Sequence, residues 1–391
     1  MSAALPAVSA VLEAGRANGV APALAAFVLS RGARVHASFH GEGEEDAPRP
    51  LEPGDVFDLA SLTKVLATTG VAAHLVAEGQ LGLDAPVSRV LEEFAAAGKE
   101  GVTLRQLLAH SSGLPAFRPY HEAAARDAAS GPAFLPPAER PAPEALPAAF
   151  ARGRELVLSA ACAEPLEAPP GTRALYSDVG FIALGEVVER AGGAPLPELC
   201  QACLFGPLGL SSTFFVDGKD PAAARAHSAG RTFLPTGSCP CRHEVARGIV
   251  HDDNAFAMGG VAGHAGLFST AAEVAAVGQA WLDALSGRPS VIPGNVAREF
   301  VRRDPTPGSD RALGWDTPGP GSSIGQALGR GPRGAIGHLG YTGTSLWIDL
   351  DRELVCVLLT NHTHPGGVAR RERIRELRRR FHDAVAAALG S

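Results

Sequence analysis

The sequence predicts an α+β protein, on three observations. Two alternating apolar runs near the N-terminus read as a strand pair, and two more near the C-terminus read as another. Between them the chain is a succession of helical patterns separated by Gly- and Pro-rich connections. At 391 residues and 46% hydrophobic content, it holds enough apolar material for one large unit or two lobes.

Each element has a local reason. Residues 7 to 17 read as an amphipathic helix. Ala23 to His40 reads as two strands: Ala25, Phe27 and Leu29 alternate, then Val35, Ala37 and Phe39, with the turn at Arg31-Gly32-Ala33. Phe57 leads into a helix over Leu62 to Glu78, rich in Ala, Val and Leu and ended by Gly79. Residues 81 to 87 form a turn. Residues 102 to 115 read as a helix stopped by Gly113 and Pro115. Residues 116 to 171 are Ala- and Pro-rich and predict loops with short helices beside a cleft. A helix follows from about Val179 to Ala191, capped by Gly192-Gly193. The stretch 251 to 270 is glycine-rich, and 271 to 285 is helical. Leu346 to Leu350 and Leu354 to Thr360 form a strand pair around Asp351-Arg352. The terminal run from Arg370 carries seven arginines, and Ile374, Leu377, Phe381 and Val385 fall on one helical stripe, which places the arginines on a solvated face.

Composition excludes several classes of function. A net charge of -6 with 19% charged residues offers no basic face for nucleic acid. No run of about 18 uninterrupted apolar residues is present to span a membrane. The N-terminus lacks a basic n-region, so a cytoplasmic protein is expected, or a periplasmic one if a leader has been removed. Cys200 and Cys203 lie in an apolar helical stretch and read as buried thiols. Cys239 and Cys241 with His243 have the composition of a zinc site in a poor context, so no metal and no cofactor is expected.

The chemistry begins at Ser61-Leu62-Thr63-Lys64. At i and i+3 on a helix, the hydroxyl and the amine share one face. A serine is a poor nucleophile until a neighbour takes its proton. A lysine does so only where burial or nearby positive charge lowers its pKa. A helix N-terminus also favours negative charge developing at Ser61.

Three ordered motifs extend this: Ser61-Leu62-Thr63-Lys64, Tyr176-Ser177-Asp178 and His338-Leu339-Gly340, with Leu107-Leu108-Ala109-His110-Ser111-Ser112-Gly113-Leu114-Pro115 between the first two. Together they resemble the serine hydrolases that share the class C β-lactamase and D-Ala-D-Ala peptidase fold, over roughly residues 20 to 360. The resemblance implies an antiparallel sheet flanked by helices, with a mostly helical lobe inserted. The α/β lobe would take about 1–80 plus 290–391, and the helical lobe about 81–289. It implies Ser61 as the acylated nucleophile, with Lys64 and Tyr176 sharing its proton. It implies an oxyanion hole from the backbone N–H of Ser61 and Tyr341, and a Gly340 that leaves the edge strand open to substrate.

Two residues depart from the family pattern. Asp178 stands where Asn is usual, and a carboxylate there favours a charged Lys64 and shifts the base role toward Tyr176. His338 stands where β-lactamases carry lysine, giving partial positive charge near its reference pKa of ~6.5. The stretch containing His251, Asp252 and His264 resembles a branch that includes a penicillin-binding D,D-carboxypeptidase; the three residues invite a metal reading, but cleft-lining contacts or anchors of a glycine-rich loop are the stronger readings, and His251 and Asp252 are taken as substrate-binding candidates. His362 and His364 are read as a surface turn. The expectation is a serine hydrolase working through an acyl-enzyme on a small ester or amide. The alternatives are a β-lactamase or D,D-carboxypeptidase acting on penicillins or cell-wall peptides, and a catalytically silent binding protein.

Overall fold

The structure, a computed structural model, describes residues 5–43, 49–319, 321–365 and 371–390. The first four residues, from which the leader was judged, and Arg370 lie outside them. The main sheet has five strands in the order Ala33–Gly41, Ala23–Ser30, Leu354–Thr360, Ser345–Asp349, Ala335–Leu339, and every neighbouring pair is antiparallel. The N-terminal hairpin and the C-terminal strand pair therefore share one sheet. They meet in a register that runs from Leu24 opposite Thr360 to Ser30 opposite Leu354. Arg31 and Gly32 turn the hairpin at φ 50° and 79°, the left-handed geometry that two-residue hairpin loops require.

The central strands are buried on both faces, and the period of two shows how. Leu24, Ala26 and Val28, with Cys356 and Leu358, face a layer formed by the helices Pro6–Ala17 and Arg371–Leu389 through Val8, Leu12, Leu377, Phe381 and Val385. Ala23, Ala25, Val355, Val357 and Leu359 face the larger core. The helix Ala271–Leu285 packs there on the sheet. This helix precedes the boundary expected near residue 290, yet it lies with the sheet. A fully buried ring such as Phe381 contributes about 2 kcal/mol by leaving water.

A three-stranded minor sheet pairs Phe57–Asp58 with Leu267–Ser269, and that strand with Phe214–Phe215. It fixes the approach to Ser61. The helical side is centred on Asp178–Gly192, whose apolar residues are buried almost throughout and which ends at Gly193 in the left-handed region, φ 69°.

The structure corrects several expectations. The helix after Ser61 opens with a π turn over Lys64–Thr68 before regular helix at Thr69–Ala77. The 102–115 segment is helical only over Leu104–Leu108, because His110 takes a positive φ of 56°. Within 116–171 lies a 17-residue helix, Pro147–Ala163. The strand Ala335–Leu339, which carries His338, follows from no alternation in the sequence and was implied only by the edge strand of the resemblance. The histidines expected in a surface turn are buried, His362 at 3% and His364 at 6% exposure. Arg378 is not on a solvated face either. It is buried and donates to the carbonyls of Gly340, Gly343 and Thr344, so it pins the turn after the third motif.

Candidate active site

Ser61 lies at the bottom of a cleft of about 690 Å³ between the sheet and the helical side. Ala60 before it has φ 48°, a conformation a residue with a Cβ disfavours. The π turn that follows places Lys64 beneath the serine; such turns recur at functional sites. Lys64 is fully buried and its ammonium has three acceptors: Asp178 Oδ1 at 2.6 Å, the His264 carbonyl at 3.0 Å and Ser61 Oγ at 3.2 Å. These match the three donors of an ammonium, which leaves it with no reason to release a proton. Burial pulls the Lys64 pKa down, but the Asp178 carboxylate and Tyr176 outweigh it, and the pKa lies above its ordinary value.

Tyr176 Oη lies 2.8 Å from Ser61 Oγ. Its ring is flanked by two cations, Lys64 Nζ at 4.9 Å and the Arg311 guanidinium at 5.3 Å from the centroid. The His110 ring packs at 4.7 Å, and His110 Nδ1 accepts from the Ser177 amide at 3.0 Å, which sets the backbone beside Tyr176. Burial raises the Tyr176 pKa and Lys64 draws it partly back. His110 is kept neutral, first by burial and then by Arg311 and Lys64.

The third motif supplies a wall. His338 is buried, its Nδ1–H donates to the Leu339 carbonyl at 2.9 Å, and its Nε2 has no partner among the described residues. Burial, then Lys64 and Arg311, hold its pKa well below the usual value, so His338 is neutral rather than partly charged. Gly340 is required for a reason other than the one inferred from sequence. A Cβ there would fall 2.0 Å from Thr344 Oγ1 and 2.7 Å from the Leu59 carbonyl, so the glycine lets the turn close on the nucleophile segment. The amides of Ser61 and Tyr341 make no hydrogen bond among the described residues.

The remaining sequence-read residues also reach the cleft. Asp178, His251 and Asp252 line it. His251 stacks on the Tyr341 ring, with centroids 5.9 Å apart. Asp252 caps the helix Asp253–Ala257 through the Ala255 amide and holds His264 Nε2 at 3.0 Å; the His264 carbonyl in turn holds Lys64. His264 thus anchors the site from behind. Burial opposes a charged Asp252, but His264 and the Ala255 amide overcome it and depress its pKa.

Sequence reasoning missed Arg311, which lines the cleft from an irregular loop with no motif around it and pairs with Asp316. It also gave no role to Asp58, three residues before Ser61, or to His110, although His110 stands inside a quoted motif. The zinc grouping with His243 does not come together among the described residues. Cys241 stands instead with His121 and Asp253, their ligand atoms within 4.8 Å of one another. That carboxylate is already engaged, since Arg242 Nε lies 3.1 Å from it. Burial, then Asp253, pushes the Cys241 thiol up to about 12, far from a ready thiolate.

Comparison with known proteins agrees with this geometry. A family model described as Beta-lactamase matches residues 8–379. The chain is 30% identical over 335 residues to a putative D-alanyl-D-alanine carboxypeptidase of Escherichia coli (strain K12), covering 82% of this chain and 72% of the relative. It is 32% identical over 341 residues to an N-acetylmuramyl-L-alanine amidase of Bacillus subtilis (strain 168), covering 83% and 72%. Among solved structures, EstCE1, a hydrolase with promiscuous acyltransferase activity, superposes with a TM-score of 0.67 at 20% identity, covering 95% of this chain and 97% of that one; at this identity the likeness speaks to fold alone. With the match running nearly end to end, and with a serine, a lysine and a tyrosine converging at the cleft floor, the chain belongs to the beta-lactamase family of serine hydrolases.

Proposed function

We propose that Ser61 is the nucleophile of an acyl-transfer cycle on a small ester or amide. The observation that carries this is the convergence on one oxygen: Ser61 Oγ is within hydrogen-bond reach of both Tyr176 Oη and Lys64 Nζ, beneath a cleft that presents two unused amides. Lys64 keeps its proton because Asp178 and His264 hold it, so Tyr176 is the group that takes the serine proton. Its working form is the phenolate, which burial opposes and the nearby cations offset in part. The serine oxygen then attacks the carbonyl carbon and the Ser61 and Tyr341 amides receive the oxyanion. Tyr176 returns the proton to the departing alcohol or amine. Water repeats the sequence on the acyl-enzyme, and no metal or cofactor takes part.

The test is covalent labelling by a fluorophosphonate, read by intact mass. One adduct per chain is expected, absent in Ser61→Ala. Labelling that persists in that variant refutes the assignment.

A narrower reading has one observation in its favour. Arg311, paired with Asp316, presents a guanidinium to the cleft, with Arg371 at its rim, and these two groups can receive a substrate carboxylate. The names of the relatives, a carboxypeptidase and an amidase of muramyl peptides, point the same way. We therefore place a cell-wall-derived peptide or amide beside simple esters as a candidate substrate. A lower KM for cleavage of the acyl–nitrogen bond in an N-acyl amino acid with its carboxylate free than with that carboxylate blocked as the primary amide, a difference lost in Arg311→Met, supports it. Equal values refute it.

A further inference from the structure

Asp58 is buried at 3% exposure, and among the described residues no lysine or arginine pairs with it. Its two oxygens are instead divided between two backbone amides. Oδ1 accepts from Ala60 at 2.8 Å and Oδ2 from His251 at 2.7 Å. The same short segment is held from a third direction. The Asp58 carbonyl accepts from Thr342 Oγ1 at 2.9 Å, and the Leu59 carbonyl from Thr344 Oγ1 at 3.1 Å.

These partners belong to three segments that form the cleft: the nucleophile turn, the loop carrying His251, and the turn carrying Tyr341. Two of them deliver the amides assigned to the oxyanion. The turn at Ala60 needs holding, because φ 48° is unfavourable for alanine, and the amide of Ser61 faces the cleft only while residue 60 keeps that conformation. A carboxylate two residues back that accepts the Ala60 amide is a local device for selecting that turn.

We infer that Asp58 is the positioning residue of the oxyanion hole: one carboxylate oxygen locks the Ala60 turn that aims the Ser61 amide, and the other docks the His251 loop that backs Tyr341. This rests on the reading of Ser61 as the acylated residue. It assigns a function to a residue that touches neither substrate nor nucleophile.

A double-mutant cycle on Asp58→Ala and Ala60→Gly tests it, with hydrolysis of p-nitrophenyl acetate, the rate of fluorophosphonate labelling and thermal melts as readouts. Losing a well-aimed oxyanion donor costs on the order of 10²-fold in kcat. Asp58→Ala should show that loss, with KM held within about threefold and labelling slowed in parallel. In the Ala60→Gly background the same substitution should cost less than about tenfold, because glycine adopts positive φ without a Cβ penalty. A merely structural role lowers the melting temperature and shows no such coupling. A folded Asp58→Ala enzyme with kcat within about threefold of wild type overturns the inference. So does an equal cost in both backgrounds. Should Asp58→Ala fail to fold, Asp58→Asn serves in its place. It keeps one acceptor oxygen but turns an NH₂ toward one of the two amides, and kcat should fall about tenfold at unchanged KM; wild-type kcat in that variant overturns the inference. Labelling of Ser61→Ala, by contrast, would refute the parent reading whatever happens at position 58.

Discussion

The floor and the rim of the cleft are built on opposite rules. At the floor the charged and reacting side chains are held in fixed pairs: Lys64 has three acceptors, Asp178 faces its ammonium at 2.6 Å, and Tyr176 meets Ser61 at 2.8 Å. At the rim Phe117 is 47% exposed and Tyr341 50% exposed, and both belong to segments without regular structure. A buried charge must be paired in a fixed geometry, so the floor admits few residue types. The rim has no such obligation, and substrate choice resides there. Substitutions at the floor should therefore act on kcat, and those at the rim on KM.

The largest break is at the floor. Tyr176→Phe and Lys64→Met should each lower kcat on the order of 10²-fold or more, with KM changing little, since positioned acid–base groups contribute about 10²–10⁴-fold. The losses should not add, because both residues act on the same proton. Steady-state kinetics on the two single variants and the double variant check this, and an active Tyr176→Phe enzyme would remove the phenol from the cycle.

A second, smaller effect sharpens the assignment of Tyr176 as the base. Burial raises its pKa, so the active phenolate grows as pH rises, and kcat/KM should climb toward alkaline pH. His338 stays neutral and should contribute no limb near pH 6 to 7. Removing the cation at 5.3 Å with Arg311→Met makes the phenolate harder to form, so the alkaline rise should move to higher pH. At neutral pH the same substitution should lower kcat/KM on a neutral ester, since less of the phenol is ionised there. A pH profile that moves down or stays fixed in Arg311→Met would contradict the electrostatic role.

The same contrast explains what was legible in the sequence. Ser61 and Lys64 could be read because helical spacing puts a hydroxyl and an amine on one face, whereas Tyr176 could be read only through its place in the ordered motifs of the family the chain resembles. The strands 23–41 and 345–360 declare themselves by alternation and by apolar runs around Gly32 and Asp351. Arg311 gave no signal, because its position beside Tyr176 arises only from the tertiary path of an irregular loop. Arg378 was misread for the same reason. Six neighbouring arginines do suggest a solvated face, and only the folded turn at 340–344 shows that one is drawn inward. The strand 335–339 was hidden by Gly334, Gly337 and Gly340. Gly337 is nevertheless demanded there, since a Cβ would fall 2.3 Å from the Trp347 ring. The helix 147–163 was hidden by the Pro-rich chain before it, although proline at its first turn is a proper helix start.

Asp178→Asn should have a moderate effect that separates charge from shape. Asparagine keeps an acceptor for Lys64 but removes the carboxylate that holds it charged, so the Lys64 pKa should fall. Lys64 then becomes a competent base, and the dependence on Tyr176 should weaken. In the Asp178→Asn background, Tyr176→Phe should cost at least about fivefold less than in the wild type. An undiminished cost would mean that Asp178 does not select between the two bases.

The smallest expected effect is at the rim, at Phe117. Its ring lines the cleft yet is half exposed without a ligand, so it has apolar surface left for a substrate to cover. Burying roughly half of a phenylalanine is worth about 1 kcal/mol, which is about a fivefold change in affinity. That contact lies away from the carbon that Ser61 attacks, so it should be equally strong in the ground state and the transition state. Uniform binding of this kind appears in KM and leaves kcat alone. Phe117→Ala should therefore raise KM about fivefold for an aryl ester, leave kcat within about twofold, and change KM little for a short alkyl ester that cannot reach the ring. A fall in kcat of tenfold or more would show that Phe117 belongs with the floor after all, through the neighbouring Ala116 carbonyl that receives the Asp178 amide at 2.8 Å.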